Sequence, residues 1–535
     1  MTQRHLFPHK SGGGLSAPGF GLIRLAPLVA AGLLFEGRLP AQTNTNSDPI
    51  TALRQLVELQ NRQIQDLGEK VRQLEEREAR REDASAEPHL PAIIIDTNGV
   101  PESPAAAAPI ELAGGTTNPP SPEVSIGAVG FTARSADTNF VIALHGLVQV
   151  DSRSFFKDSP YSQANNGFLL RRARPILSGT VDRDFDFLIT PDFGVPSVQL
   201  YDASVTYRFR PWLRFCAGKF KGPVDLEDLQ YDTTVPFNEH SLAADLAPIR
   251  NLGFQMSGDI PMGPGIASWT AGIYNGVGDG VLPSNEVINN NLEFGGRLFL
   301  QPFKNDPASP LQGLGFGAGG SYSDVVSNAA VLPSTIGGTQ PGYLTTGQQQ
   351  FFAYNPLYGT VVANGAHWRF SPQGYYYIGP FGLEGEYVIS DQSVLNNVTM
   401  RQAALNNSAW QISGEWMLTG EPASFNAITP AHSFDPHAGQ WGAWQLVARY
   451  TQLNMDKNVF NGFSDGTTSA GDAYAWSAGI NWWLNRNVRI LTSFSHTTFQ
   501  GGGGINLGVP STQAPPATVA HQNEYVLFTR IQIAF

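Results

Sequence analysis

From Phe140 onward, apolar and polar side chains alternate, and the last segment shows the period best. Tyr525, Leu527, Thr529, Ile531, Ile533 and Phe535 fall on one face, while Val526, Phe528, Arg530, Gln532 and Ala534 fall on the other. A period of two predicts a β-strand whose two faces meet different media. Trp476, Ile480 and Trp482 oppose Ser477, Gly479 and Asn481 in the same way, and Trp410, Ile412 and Trp416 oppose Gln411, Ser413 and Glu415. About sixteen such segments follow one another, each near the roughly 9 to 11 residues with which a tilted strand crosses a bilayer. They begin near Phe140, Phe168, Arg183, Val198, Trp212, Leu252, Ala267, Asn291, Leu311, Trp368, Pro380, Ser408, Trp441, Tyr474, Asn487 and Asn523.

The links between segments alternate in length. Short ones fall at Val181-Asp182, Arg210-Pro211, Pro261 to Gly265, Gly379 and Asn485-Arg486; long ones fall at Lys221 to Arg250, Gly276 to Asn290, Ser323 to His367, Met455 to Ala473 and Gln500 to Gln522. That is the asymmetry of periplasmic turns against extracellular loops. Two links break it: Gly194 to Ser197 is short where a long one is due, and Gly420 to Gln440 is long where a turn is due. The expected fold is all-β, a transmembrane antiparallel β-barrel of about 16 strands over residues 131–535. A soluble sandwich or propeller also has many short strands, but it needs neither the loop alternation nor Trp and Tyr recurring at strand ends.

The N-terminal region is patterned differently. Arg4, Lys10 and Arg24 precede the apolar stretch Leu25 to Phe35, which predicts a secretory signal peptide over 1–41, cleaved after Ala41. Ile50, Leu53, Val57, Gln60, Ile64, Leu67, Val71 and Leu74 repeat with three-then-four spacing, the core of a periplasmic coiled coil over 50–82. A single amphipathic helix is the alternative. Residues 83–130 are rich in Pro, Ala, Ser and Thr and read as a linker.

Composition narrows the class further. Charged residues make up only 15% and glycine 57 of 535 residues, unlike an ordinary soluble enzyme. No segment approaches the roughly 18 apolar residues of a membrane-spanning helix. One cysteine, Cys216, excludes an intramolecular disulfide framework, and a net charge of -12 argues against nucleic acid as a partner.

Several strings then resemble one family: Asn166 to Pro175 (NGFLLRRARP), Gly179 to Phe193 (GTVDRDFDFLITPDF), Gly218 to Lys221 (GKFK), Gly295 to Phe303 (GGRLFLQPF), Trp416 to Glu421 (WMLTGE) and Gly442 to Tyr450 (GAWQLVARY). They look like the phosphate-selective porin O and P family. The resemblance spans about Phe140 to Phe535 and implies a sixteen-stranded outer-membrane porin, usually trimeric, through which small anions such as phosphate diffuse. It implies outer-membrane lipid and small inorganic ions as partners, and an assembly machinery that reads the final Phe535. The coiled coil's β-branched a positions with Leu at d favour two strands instead, so dimer and trimer both stay open.

The residues themselves are less one-sided about charge. Residues 131–535 hold 22 basic side chains against 30 acidic, a formal net charge of -8. The lysine cluster expected of the family is thinned to Lys157, Lys219, Lys221, Lys304 and Lys457. Candidate pore-lining, anion-attracting residues are Arg172, Arg174, Arg208, Lys219, Arg297, Arg449, Arg489 and Arg530, because guanidinium groups projecting into a wet lumen hold anions with several donors. The opposing reading pairs the arginines with Asp184, Asp186, Asp202, Glu293, Glu384, Glu386 and Glu415 on the wall. Lys221 to Arg250 is the candidate constriction loop. Its acids Asp225, Glu227, Asp228 and Asp232, with Glu239 and Asp245, would repel anions if they faced the narrow point.

Signals for catalysis are weak. His432, Asp435 and His437 match no metal-ligand spacing, Gly501 to Gly504 lacks the Lys and helix of a phosphate-binding loop, and Cys216 has no nearby His. No enzyme activity and no cofactor are expected. The alternative to a porin is a structural envelope protein, in which coil and linker tether the outer membrane to the cell wall and a plugged barrel is the anchor.

Overall fold

The computed structural model describes residues 121–156, 166–194, 198–285, 292–328, 342–501 and 523–535. The signal peptide, the coiled coil and most of the linker lie outside these residues, as does Lys157.

Twenty strands follow in order: β1 (Glu123–Gly127), β2 (Gly130–Arg134), β3 (Val141–Phe155), β4 (Gly167–Val181), β5 (Phe185–Asp192), β6 (Gln199–Arg210), β7 (Leu213–Phe220), β8 (Asn251–Met262), β9 (Gly265–Tyr274), β10 (Glu293–Gln301), β11 (Gly313–Asn328), β12 (Tyr343–Leu344), β13 (Gln350–Phe352), β14 (Val361–Ile378), β15 (Phe381–Asn396), β16 (Gln402–Met417), β17 (Ala443–Asn454), β18 (Asp472–Trp483), β19 (Val488–Gln500) and β20 (Glu524–Ala534). Sixteen of them, β3 to β11 and β14 to β20, form a closed antiparallel barrel. The seam is β20 against β3, in register from Val526↔Phe155 to Ala534↔Leu147. It ends where Phe535 and Gly146 exchange two backbone hydrogen bonds of 2.8 and 3.0 Å. Closure leaves no unpaired edge in hydrocarbon, where each lone N–H or C=O costs several kcal/mol.

The strands are more uneven than a bare bilayer crossing requires, running from 8 residues in β5 and β7 to 18 in β14. β11 and β14 to β16 run for 16 to 18 residues, longer than the roughly 9 to 11 of a bilayer crossing. The two irregular links of the sequence are present: β5 to β6 is short, and Leu418–Gly442 joins β16 to β17 at the end where the other links are turns or, after β10, a shorter loop. Residues 123–127, expected as linker, instead form β1. Its hairpin with β2 pairs onto Val141–Leu144 of β3, below the point where β20 ends.

Exposure is inverted relative to a soluble protein. Ile412, Trp416, Trp476 and Ile531 are 45 to 51% exposed, whereas Arg489, Arg530 and Asn481 are each 1% exposed. Apolar side chains point outward to lipid and polar ones inward, as the alternation predicts. The interior is not wholly polar, which corrects the expected wet lumen. At the loop end, Leu242 and Leu246 of the β7–β8 loop and Phe351, Phe352 and Tyr354 pack on inward Val388, Val394, Leu405 and Leu453. Loops that fold back into a barrel bury their own apolar residues against apolar wall positions.

Replacing outward Ile412 by Arg is expected to destabilise the barrel by about 2–4 kcal/mol, the cost of a charge near the bilayer midplane. The same change at exposed Val398, in the β15–β16 loop, is expected to be near neutral. Urea unfolding in lipid vesicles, read by tryptophan fluorescence, checks the pair.

Candidate functional site

The β7–β8 loop, residues 221–250, lies inside the barrel and meets two differently charged walls. The basic wall is built by β3, β4, β17, β19 and β20. The loop offers it carboxylates. Glu239 receives Arg171 through Nε and Nη2 at 2.7 and 2.9 Å, Arg153 at 3.2 Å and Arg530 at 3.1 Å. Arg530 is also held bidentately by Asp151, at 2.6 and 2.8 Å. Asp232 pairs with Arg174 and, at 3.3 Å, with Arg172; Glu227 pairs with Arg449 at 2.8 Å.

To the acidic wall of β15 and β16 the same loop offers N–H donors. The backbone of Leu226 donates to Glu386 at 2.8 Å, that of Glu227 to Glu386 at 3.3 Å, and the Gln230 amide to Glu384 at 2.9 Å. Among the described residues, Asp225, Glu384, Glu386 and Glu415 have no ion pair. A loop that presents acids to one side and amides to the other is fixed in orientation as well as position.

Protonation follows this division. Burial alone would raise the Asp232 and Glu239 carboxyls, but the arginines around each more than offset it and hold both well below their usual range. Burial, then the neighbouring Glu386, pushes Asp225 well above its own. Asp228 faces the His240 ring at 3.3 Å.

The eight candidate basic residues separate into two groups. Arg172, Arg174, Arg449 and Arg530 are buried in the ion pairs above, and Arg208 pairs with Asp186 at 3.2 Å. Arg297, Arg489 and Lys219 have no described carboxylate partner. Arg297 donates to Gln373 at 2.7 Å and stacks 4.2 Å from the Phe299 ring. Arg489 donates to the Val235 carbonyl at 3.0 Å and stacks on Trp483 at 4.6 Å. Lys219 is buried on the Pro283 carbonyl at 2.7 Å. Cys216 meets Thr206 and Ser204, and between it and Lys219 the backbone of Gly218 takes φ 124°, where a Cβ would collide with the Ala203 carbonyl oxygen.

Of the wall acids proposed as arginine partners, Asp186, Asp202 and Glu293 take that part, with Arg208, Arg250 and Arg369. The rest of the described arginine pairing falls to the loop and to Asp151, Asp192, Asp259 and Asp279. Sequence reading missed Arg171, because strict alternation turns it outward. A β-bulge opposite Gln149 and Val150 places Arg171 and Arg172 on one side. It also missed Arg369, which joins Asp279 at 2.7 Å to Glu293 at 2.8 Å. His432 and His437 are exposed in the Leu418–Gly442 link, where Asp435 accepts the His437 backbone N–H.

A closed sixteen-stranded barrel with an apolar outer face and a charged interior into which loop 221–250 folds defines a channel-forming protein of the outer membrane. The family model for phosphate-selective porins O and P matches residues 142–501, and the chain belongs to this family. In fold it is similar to the outer membrane channel DcaP of Acinetobacter baumannii, at 8% identity over 75% of this chain and 99% of that one, with a TM-score of 0.47. It is similar also to an anion-selective porin from Comamonas acidovorans, at 10% identity over 74% and 100%, with a TM-score of 0.44. A third likeness is Salmonella typhi OmpF in complex with daunomycin, at 12% identity over 74% and 98%, TM-score 0.44. No curated protein matches the sequence.

Glu239→Gln is expected to cost roughly 3–5 kcal/mol, because it leaves three guanidinium groups facing a neutral amide. Carboxyls held below their unfolded values stabilise above the unfolded value and lose that contribution as pH falls through the folded one. The loop is therefore expected to resist protease from pH 8 to pH 5 and to open only in strong acid. Limited proteolysis across pH, on wild type and Glu239→Gln, reads both.

Proposed function

We propose that the protein is a passive channel for small ions that favours anions, phosphate among them, and performs no chemistry. The observation that carries this reading is the split among the inward charges. Glu227, Asp232 and Glu239, three of the six loop acids that would repel anions, are neutralised by wall arginines, while Arg297 and Arg489 keep guanidinium groups without a described carboxylate. A permeating anion meets the half-buried Arg297 at low hydration cost, while Arg489, 1% exposed, acts on it through its field. The family's name supports phosphate as one such anion. In this reading the barrel is a homo-oligomer, with the family favouring a trimer, and Ile50 to Leu74 holds subunits together in the periplasm.

The anchor reading keeps one observation in its favour. Interior residues such as Gln149, Asp151, Thr451 and Thr497 are 0% exposed, because loop 221–250 and the β12–β13 hairpin fill the space beside them. Conductance separates the two.

Purified protein in a planar bilayer is expected to open channels whose reversal potential under a KCl gradient reports anion preference. Replacing Arg297 and Arg489 together by Gln is expected to move that potential toward cations. Silent insertion would favour the anchor, and an unmoved potential would remove the two arginines from the selectivity mechanism.

A further inference from the structure

On β11, Gly313, Gly315, Gly317 and Gly319 fall on the face opposite outward Phe316. With no side chains on that face, residues of β10 and β14 meet over the strand between them. The Phe299 and Tyr375 rings lie 5.2 Å apart, and a Cβ on Gly315 would stand 2.6 Å from the first and 2.8 Å from the second. Phe425, from the long Leu418–Gly442 link, stacks on Tyr375 at 5.0 Å. Gln301 fixes the Tyr375 hydroxyl by donating to it at 2.9 Å. Toward the constriction loop, Gly319 leaves room for the Pro223 and Val224 carbonyls, and Val224 accepts the Gln373 amide at 2.8 Å.

Arg297 stands where the rings meet the loop. Its guanidinium lies over Phe299 at 4.2 Å and its Nε donates to Gln373 Oε1 at 2.7 Å, which fixes its plane and one of its edges. Nη1 and Nη2 have no hydrogen bond among the described residues and are not enclosed. Phe299 is 3% exposed, whereas Arg297, Tyr375 and Phe425 are half-buried and present surface to the barrel interior. Glu384 and Glu386 on β15 are 4 and 5% exposed, and the N–H donors of loop 221–250 engage them. The accessible charge is therefore the cation. A guanidinium edge matches a carboxylate in geometry, and aromatic surface rewards a ligand with an apolar body. The buried acids of β15 count against a ligand that carries a second negative charge.

We propose that Arg297, Tyr375 and Phe425 form a binding site for aromatic monocarboxylates. The carboxylate accepts from Arg297 Nη1 and Nη2, and the ring lies along Tyr375 toward Phe425. As a station for permeants the site rests on the channel reading above and extends its anions from inorganic ions to organic acids. As a binding site it stands on the arginine and the rings.

The test is saturation-transfer nuclear magnetic resonance of phenylacetate on the detergent-purified full chain, with displacement by acetate, 2-phenylethanol, phenethylamine and inorganic phosphate. Transfer to the phenylacetate ring protons is expected. Acetate is expected to bind about threefold or more weakly than phenylacetate, the effect of losing the ring contacts. 2-Phenylethanol is expected to bind about tenfold or more weakly, the effect of losing a charge-assisted hydrogen bond. Arg297→Gln is expected to abolish the advantage over 2-phenylethanol, and Phe425→Ala, outside the strand ladder, to shrink the advantage over acetate. No transfer, or displacement by 2-phenylethanol, phenethylamine or phosphate at the concentrations at which phenylacetate itself binds, overturns the site on the wild type alone. KCl current from the same preparation judges the channel separately: transfer without current keeps the site and discards the channel, and current without transfer does the reverse.

Discussion

In hydrocarbon a backbone N–H or C=O has no water to fall back on, and every other feature of this protein follows from how that demand is met. The ladder must close, so β20 returns to β3 and ends in the reciprocal bonds between Phe535 and Gly146. Closure in turn makes one face of every wall strand outside and the other inside. Aromatic pairs on the outer face, such as Trp444 on Trp482 and Phe381 on Trp416, then cost nothing to expose, because lipid covers them.

The inside inherits the opposite problem. Arginines and carboxylates that face a confined space must be neutralised, and adjacent wall strands do not supply enough partners. Loop 221–250 supplies several of them. Glu239 answers three guanidiniums, Asp232 two and Glu227 one, while the loop's amides face β15 and β16. The apolar residues Leu242 and Leu246 anchor the far end against inward Val388 and Leu405. Electrostatics orients the loop and apolar burial holds it there.

Matching is incomplete at a few inward groups. Arg297 and Arg489 have no described carboxylate partner, and Asp225, Glu384, Glu386 and Glu415 have no described ion pair. Such groups cost free energy to bury and are retained only where something else satisfies them. All but Asp225 lie on wall strands rather than on the loop, where the strand ladder fixes their geometry.

The strand count, the inward and outward faces, the loop asymmetry and even the misplaced Leu418–Gly442 link were legible in the sequence. Each is a local property: a period of two is written in neighbouring residues, and turn length is a matter of spacing. The partners were not legible. Arg171 reads as outward until the bulge beside Gln149 turns it. That Glu239 meets Arg530, 291 residues away, depends on closure, which brings the last strand to the first. Alternation along a strand determines which side a residue faces. Only the closed barrel decides what it faces, because a charge's partner is chosen by distance across the interior and not by distance along the chain.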